Sequence, residues 1–318
     1  REMGAAMVVT AEATHGTIGG GALEFEAIAR ASAMLGEPAD GAHWRRETLD
    51  LPLGPTLGQC CGGFARLLIE IFTHRERGEL VASIGANAPA NALMLRPLAS
   101  GVAPAMASHR KDAGDWPLPV LRAVRDMLSG ARPNEALLLR GRKGAPDWFV
   151  APLSRRTTPL YLFGAGHVGR AVVRVLEGLP FELVWVDTAP ARFPAAIPAF
   201  AKIAVTSDPA SLAAQAPPGA FHLVMTYSHP LDLAICHALL RRGDFAYLGL
   251  IGSRTKRARF VKRLAEAGIP DSMLGRLTCP IGIPGLSGKE PPMIAVSTAA
   301  DLIQRLAAAD KRAQAAGS

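Results

Sequence analysis

Two regimes of apolar patterning divide this chain. In the second half, short unbroken apolar runs alternate with stretches of helical periodicity. Leu160-Tyr161-Leu162-Phe163 reads as a buried strand, and Leu183-Val184-Trp185-Val186, Phe221 to Met225 and Tyr247 to Ile251 read as strands. Helices are expected over Arg170 to Glu177, Pro209 to Gln215, Leu231 to Arg242 and from Arg254 onward, and a terminal helix over Met293 to Ala309 is expected to dock on the sheet. Strand and helix in strict alternation predict a Rossmann-like, doubly wound parallel sheet. The first half is less regular. Met7 to Thr10 and Thr17-Ile18 read as short strands, and Ala22 to Ile28 as an amphipathic helix with Leu23 and Ile28 inward. A strand is expected near Arg46 to Leu51. Ala65, Leu67, Ile69 and Ile71 alternate with Phe64, Arg66, Leu68 and Glu70, the period of a second strand. The pattern weakens from Gly85 to Pro117, with a turn over Lys111 to Asp115, then Val120, Leu121, Val124, Met127 and Leu128 recur at helical spacing. Leu137 to Leu139 and Phe149-Val150 close this half as strands. The polar break Ser154 to Pro159 marks a boundary between a mixed α/β domain (1–155) and the Rossmann-like domain (156–318).

A length of 318 residues is consistent with two domains. No apolar run reaches the roughly 18 to 20 residues that cross a bilayer, so no membrane partner is expected. The net charge is +8, from 35 Lys and Arg against 27 Asp and Glu. Only Arg254 to Arg263 concentrates it, and that segment lacks interleaved aromatics. It reads as a helix with one wet face, which argues against nucleic acid and leaves an anionic small ligand or an acidic protein partner. Four cysteines, two of them adjacent, do not form a secreted disulfide framework and point to a reducing cytoplasm.

The adjacent pair lies in Gly58-Gln59-Cys60-Cys61-Gly62-Gly63. Two thiols between glycines can present Cys60 and Cys61 to a soft metal or a sulfur acceptor. Two small residues packing a tight turn are the plainer alternative. Gly19-Gly20-Gly21, feeding a helix, is a turn whose N–H groups can receive an anion, or simply a close-packing turn. Gly164-Ala165-Gly166-His167-Val168-Gly169 is G-x-G-x-x-G in strand, turn and helix context, with Asp187 18 positions after the last glycine. There Gly164 makes the turn, Gly166 admits a pyrophosphate, Gly169 lets helix pack on strand, and Asp187 can accept from a ribose hydroxyl. Three more loops are expected at the strand ends: Thr226 to Asp232 with His229, Gly252 to Lys256 with Ser253, Arg254 and Lys256, and Cys279 to Gly282. For Asp232 a capping or first-turn charge, for Ser253 a helix N-cap, and for His229 a surface position stand beside any ligand role.

Taken together, these motifs resemble the XdhC/CoxI family of accessory proteins. Arg1 to Met7, His15 to Glu24 (His-Gly-Thr-Ile-Gly-Gly-Gly-Ala-Leu-Glu), Gly58 to Gly63, Phe163 to Gly169, Ser228 to Asp232, Gly249 to Lys256 and Pro280 to Gly282 follow the family's order across the chain. Arg1 falls inside the first motif, so a family strand is expected ahead of it. The resemblance implies an accessory protein, not an ordinary enzyme: one that binds the molybdopterin form of the molybdenum cofactor, protects it while a cysteine desulfurase exchanges oxygen for sulfur, and delivers it to apo xanthine dehydrogenase or a related molybdenum hydroxylase. Upstream molybdenum cofactor proteins and a second copy in a homodimer are the other implied partners. Cys60 or Cys61 would contact molybdenum, and the two glycine turns would take the anionic end. An NAD(P)-dependent oxidoreductase using the second domain is the alternative, with Asp187 favouring NAD over NADP. A third reading makes the Rossmann unit an interaction scaffold.

Overall fold

A computed structural model describes residues 3–37, 41, 43–52, 64–84, 89, 91–112, 114–142, 144–153, 157–286 and 288–316, with side chains to residue 308. Its contacts divide the chain into two compact units, Arg1–Arg155 and Arg156–Ala316.

The first unit is mixed α/β. Strands β1 (Met7–Val9) and β2 (Thr14–Gly16) pair antiparallel with Val8 opposite His15. The second strand therefore ends before Thr17-Ile18, where it was expected, because Thr17 and Ile18 turn toward Glu24. Helix α1 (Ala22–Gly36) follows, burying Leu23, Ala27 and Met34 and leaving Ile28 half-buried. Strands β3 (Arg46–Pro52) and β4 (Phe64–Glu70) form an antiparallel pair in which Asp50 faces Arg66 and Pro52 faces Phe64. After α2 (His74–Ile84), strands β5 (Leu93–Pro97) and β6 (Ala105–Ala107), helix α3 (Leu118–Ser129), and strands β7 (Leu137–Leu139) and β8 (Trp148–Pro152) complete the unit. The last four strands form an antiparallel sheet ordered β6-β5-β8-β7. Helix α3 presents Val120, Ala123, Val124 and Met127 at helical spacing, and its Val120, Val124 and Met127 pack with Leu93, Leu95 and Val150 of that sheet. Gly130, left-handed at φ 78°, ends it.

The second unit is a parallel α/β sheet. Its elements run β9 (Thr158–Phe163), α4 (His167–Leu176), β10 (Phe181–Asp187), a 3-10 turn (Pro190–Arg192), β11 (Ala201–Val205), α5 (Pro209–Ala214), β12 (Phe221–Val224), α6 (His229–Arg242), β13 (Tyr247–Leu250), α7 (Arg254–Glu266), α8 (Asp271–Leu274), β14 (Leu277–Thr278) and α9 (Pro291–Ala316). All six strands are parallel in the order β11-β10-β9-β12-β13-β14. This is the doubly wound order of dinucleotide-binding sheets, which reverses direction between β9 and β12. One core holds Ile235, Leu239 and Leu240 of α6 with Phe260 and Leu264 of α7, and the other joins Val172, Val173 and Leu176 of α4 to Ala295, Ala299 and Leu302 of α9. The terminal helix thus docks beside α4. Tyr247 on β13 donates its hydroxyl to Asp301 of α9 at 2.7 Å, and that carboxylate also receives Arg305 Nε at 3.0 Å. Among the described residues no helix is long and apolar enough to cross a membrane.

Candidate functional site

In a doubly wound sheet, ligands enter beyond the carboxyl ends of the strands at the point of reversal. The loops after β9, β10, β12 and β13 meet there, and side chains of the second unit lock them together.

Gly164 adopts φ +120°, and a Cβ at that position would stand 2.3 Å from the Met225 carbonyl oxygen, so only glycine lets the β9 and β12 loops approach this closely. At Gly169 a Cβ would stand 2.2 Å from the Gly164 carbonyl oxygen, so glycine lets α4 close against the backbone just after β9. Gly166, exposed at the N-cap of α4, differs: a Cβ there would meet no described atom within 4 Å. As glycine, it offers no side-chain cap to the first N–H groups of α4.

Asp187 ends β10 where its position in the motif places it, but its carboxylate is turned to the protein. It is 6% exposed. One oxygen accepts from Ala165 N at 2.6 Å and the other from Thr188 N at 2.6 Å, with Arg192 Nε 3.3 Å away. Asp187 therefore fixes the β9 loop in place of offering a free acceptor. Arg170 on α4 donates Nε to the Ala165 carbonyl at 3.0 Å and a terminal nitrogen to the Arg192 carbonyl, joining the β9 loop to the 3-10 turn. The Arg192 guanidinium in turn lies 3.8 Å from the centroid of the Tyr227 ring, reaching from the loop after β10 to the loop after β12.

On the far side of the reversal, Asp232 in the first turn of α6 is 0% exposed. One of its oxygens accepts from Thr226 N at 3.0 Å and Thr226 Oγ1 at 2.7 Å, and the other from Lys256 Nζ at 2.7 Å. Lys256 also donates to the Ile251 carbonyl at 2.9 Å. It passes over Gly252, where a Cβ would stand 2.5 Å from the Lys256 Cδ. Lys256 is thus an internal tie between the β12 and β13 loops. Ser253 caps α7, its hydroxyl accepting from Lys256 N at 3.2 Å, while Arg254 and His229 are exposed, the latter edge-on to Phe260. Cys279, at the end of β14, is buried with its Sγ 3.8 Å from the Ser253 carbonyl. Burial pushes its thiol pKa up, as it does for the fully buried Cys236.

In the first unit, Gly19, Gly20 and Gly21 take φ values of 115°, 70° and 70°, three left-handed residues in succession, which explains the run of glycine. The turn closes on Glu24 in the first turn of α1. Its Oε1 accepts from the Thr17 hydroxyl and from Ile18 N at 2.8 Å. The Thr17 hydroxyl, with the N–H groups of Ile18, Gly20 and Gly19, holds the Glu24 carboxyl below its usual range. The anion this turn receives is the chain's own. Cys60 and Cys61 lie outside the described residues. Among those residues no cluster of three or more His, Cys, Asp or Glu stands ready to hold a metal.

Sequence reading singled out Gly164, Gly166, Gly169, Asp187, His229, Ser253, Arg254 and Lys256, all of which belong to strand ends, loops or helix starts at one end of this sheet. It missed Arg170 and Arg192. The available signal was an arginine five positions after the strand-ending acid, following Pro190-Ala191.

The residues of this crevice fall inside a recognisable sequence family. Residues 160–302 match the XdhC Rossmann domain, and residues 1–43 match the XdhC and CoxI family. The chain belongs to the XdhC and CoxI family. The first match spans Gly164 to Lys256 and the second the triple-glycine turn of this XdhC/CoxI chain, while Cys60 and Cys61 lie between them. The uncharacterized protein YqeB of Escherichia coli (strain K12) is 30% identical over 167 residues, which is 51% of this chain and 29% of that protein. The match therefore spans under a third of that relative's length. A Bacillus halodurans protein whose crystal structure is described as that of a xanthine dehydrogenase superposes with a TM-score of 0.68 at 21% identity, covering 97% of this chain and 88% of its own. That likeness is one of fold.

Proposed function

We propose that this chain carries the molybdenum cofactor in its molybdopterin form, protects it during sulfuration, and inserts it into apo xanthine dehydrogenase or a related molybdenum hydroxylase. The observation that carries the reading is the strand reversal of the second unit, in a chain of the XdhC and CoxI family: the α4 N-cap Gly166 is exposed with open space beside it, and the partly exposed Arg192 guanidinium lies against Tyr227 among the loops at the same sheet end. Those groups fit the phosphate end of a pterin cofactor, since α4 N–H donors and a guanidinium both favour an anion. When bound, the cofactor supplies the molybdenum centre on which the partner's redox chemistry depends. This chain's part is to bind, orient and shield it. The Gly166–Val168 backbone and Arg192 would hold the phosphate, and the Tyr227 ring would flank the heterocycle. From the sequence alone, Cys60 or Cys61 is the thiolate proposed to contact molybdenum. A cysteine desulfurase, upstream cofactor proteins and a second copy of the chain complete the proposed partners.

The test is anaerobic loading with molybdenum cofactor, pterin and metal analysis, and reconstitution of an apo-hydroxylase. Cys60→Ala and Cys61→Ala should each be assayed for retained cofactor. Unchanged retention in both removes the thiolate role, and failure to retain or transfer cofactor removes the carrier reading. The second reading, an NAD(P)-dependent oxidoreductase, draws on the G-x-G-x-x-G turn and the strand order. Calorimetry that finds neither NAD nor NADP bound would eliminate it.

A further inference from the structure

We infer that Arg192, held over Tyr227, makes the crevice selective for ligands that carry a phosphate monoester. In a dinucleotide site of the NAD type, the acid ending the second strand is free to accept from a ribose hydroxyl, and its negative charge repels a phosphate placed there. Here that acid is spent. Asp187 is 6% exposed, engaged by the Ala165 and Thr188 N–H groups at 2.6 Å each and paired with Arg192 Nε at 3.3 Å. What the rim presents in its place is the guanidinium. Among the described residues neither terminal nitrogen of Arg192 donates a hydrogen bond to the protein, and the side chain is 39% exposed.

Backbone and side-chain contacts position Arg192 while leaving its guanidinium partly exposed. The 3-10 turn Pro190–Arg192 sets its backbone, Arg170 grips its carbonyl, Asp187 anchors Nε, and the Tyr227 ring supports its plane at 3.8 Å. Tyr227 is itself 65% exposed. A planar fork placed in this way, partly exposed and with neither NH₂ group hydrogen-bonded to the described residues, matches a monoester phosphate in two-point contact. The sequence-level preference for NAD over NADP is therefore reversed at this position. Two ligand sources share the chemistry, a phosphorylated pterin and a 2′-phosphorylated nucleotide.

The inference rests on the crevice being the ligand site, as in the proposed function. It is tested by calorimetry on the full chain with two matched pairs of probes: neopterin monophosphate against neopterin, and NADP against NAD. At least one monoester should bind about tenfold or more tightly than its unphosphorylated partner. Arg192→Ala should erase that difference and Arg192→Lys should restore part of it, with thermal unfolding confirming that both variants fold. Equal affinity within both pairs, a preference that survives Arg192→Ala, or no binding of either monoester would overturn the inference. A preference seen with NADP alone upholds the role of Arg192 while counting against a pterin carrier, so the two failures remain distinguishable.

Discussion

Replacing Asp232 by alanine probes the tie that holds the β12 and β13 loops together. The carboxylate is completely buried and meets three donors, Thr226 N, Thr226 Oγ1 and Lys256 Nζ, at 3.0, 2.7 and 2.7 Å. Its removal strands the Lys256 ammonium, whose side chain is only 15% exposed, beside an emptied site. Breaking a buried pair from one side costs about 3–5 kcal/mol, because the remaining charge loses its partner without regaining water. In hydrogen exchange followed by mass spectrometry, amides of β12, β13 and the first turn of α6 should then exchange on the order of 10²–10⁴ times faster. The double variant Asp232→Leu with Lys256→Met removes both charges and should recover much of the loss, since an apolar pair of similar volume avoids the desolvation that the ions suffer. A loss below about 1 kcal/mol in Asp232→Ala would refute the argument, as would a double variant no more stable than the single one.

Four further outcomes follow. Gly169→Ala, with its Cβ 2.2 Å from the Gly164 carbonyl, should lower stability by about 1–3 kcal/mol, whereas Gly166→Ala, whose Cβ meets no described atom within 4 Å, should stay within about 0.5 kcal/mol of the parent in thermal unfolding. His222, 1% exposed on β12, has its pKa pushed down to about 4 by burial and, secondarily, by Arg242. Because the unfolded chain protonates it near the usual 6.5 while the folded chain does not, stability should fall as pH drops from about 6.5 to 4, by up to about 3 kcal/mol, and His222→Leu should flatten that slope in urea titrations. Cys236 and Cys279, buried with raised thiol pKa values, should resist an aromatic disulfide reagent until the chain unfolds, as mass mapping of native against unfolded protein will read. Glu24→Ala should loosen the Gly19–Gly21 turn and accelerate exchange at Ile18, which loses its 2.8 Å acceptor.

The second unit was legible because its central strands are buried on both faces. Leu160 to Phe163 and, apart from His222, Phe221 to Met225 are apolar, and such runs stand out without reference to any partner. Strand β11 escaped notice for the converse reason: it lies at the sheet edge, where Ile203 and Val205 remain exposed and Lys202 pairs with Glu182, so no burial pattern marks it. Helix α2 was missed likewise, since its only fully buried residue is Glu76, held by Trp44 and Thr73 N–H groups. At the site, the glycines could be read because each answers a steric demand local to the turn. Arg192 could not, because its role arises from a ring 35 positions further along the chain that only the strand order brings within reach.

The brace formed by Arg170 carries a thermodynamic implication. One side chain grips the carbonyls of both Ala165 and Arg192, so the two lips nearest the helix start move as a single body. A ligand of the crevice proposed above would meet loops already tied together, so the entropy lost on association would be chiefly its own. Capture should then proceed in one kinetic phase, its rate rising linearly with concentration, with no slow rearrangement after contact.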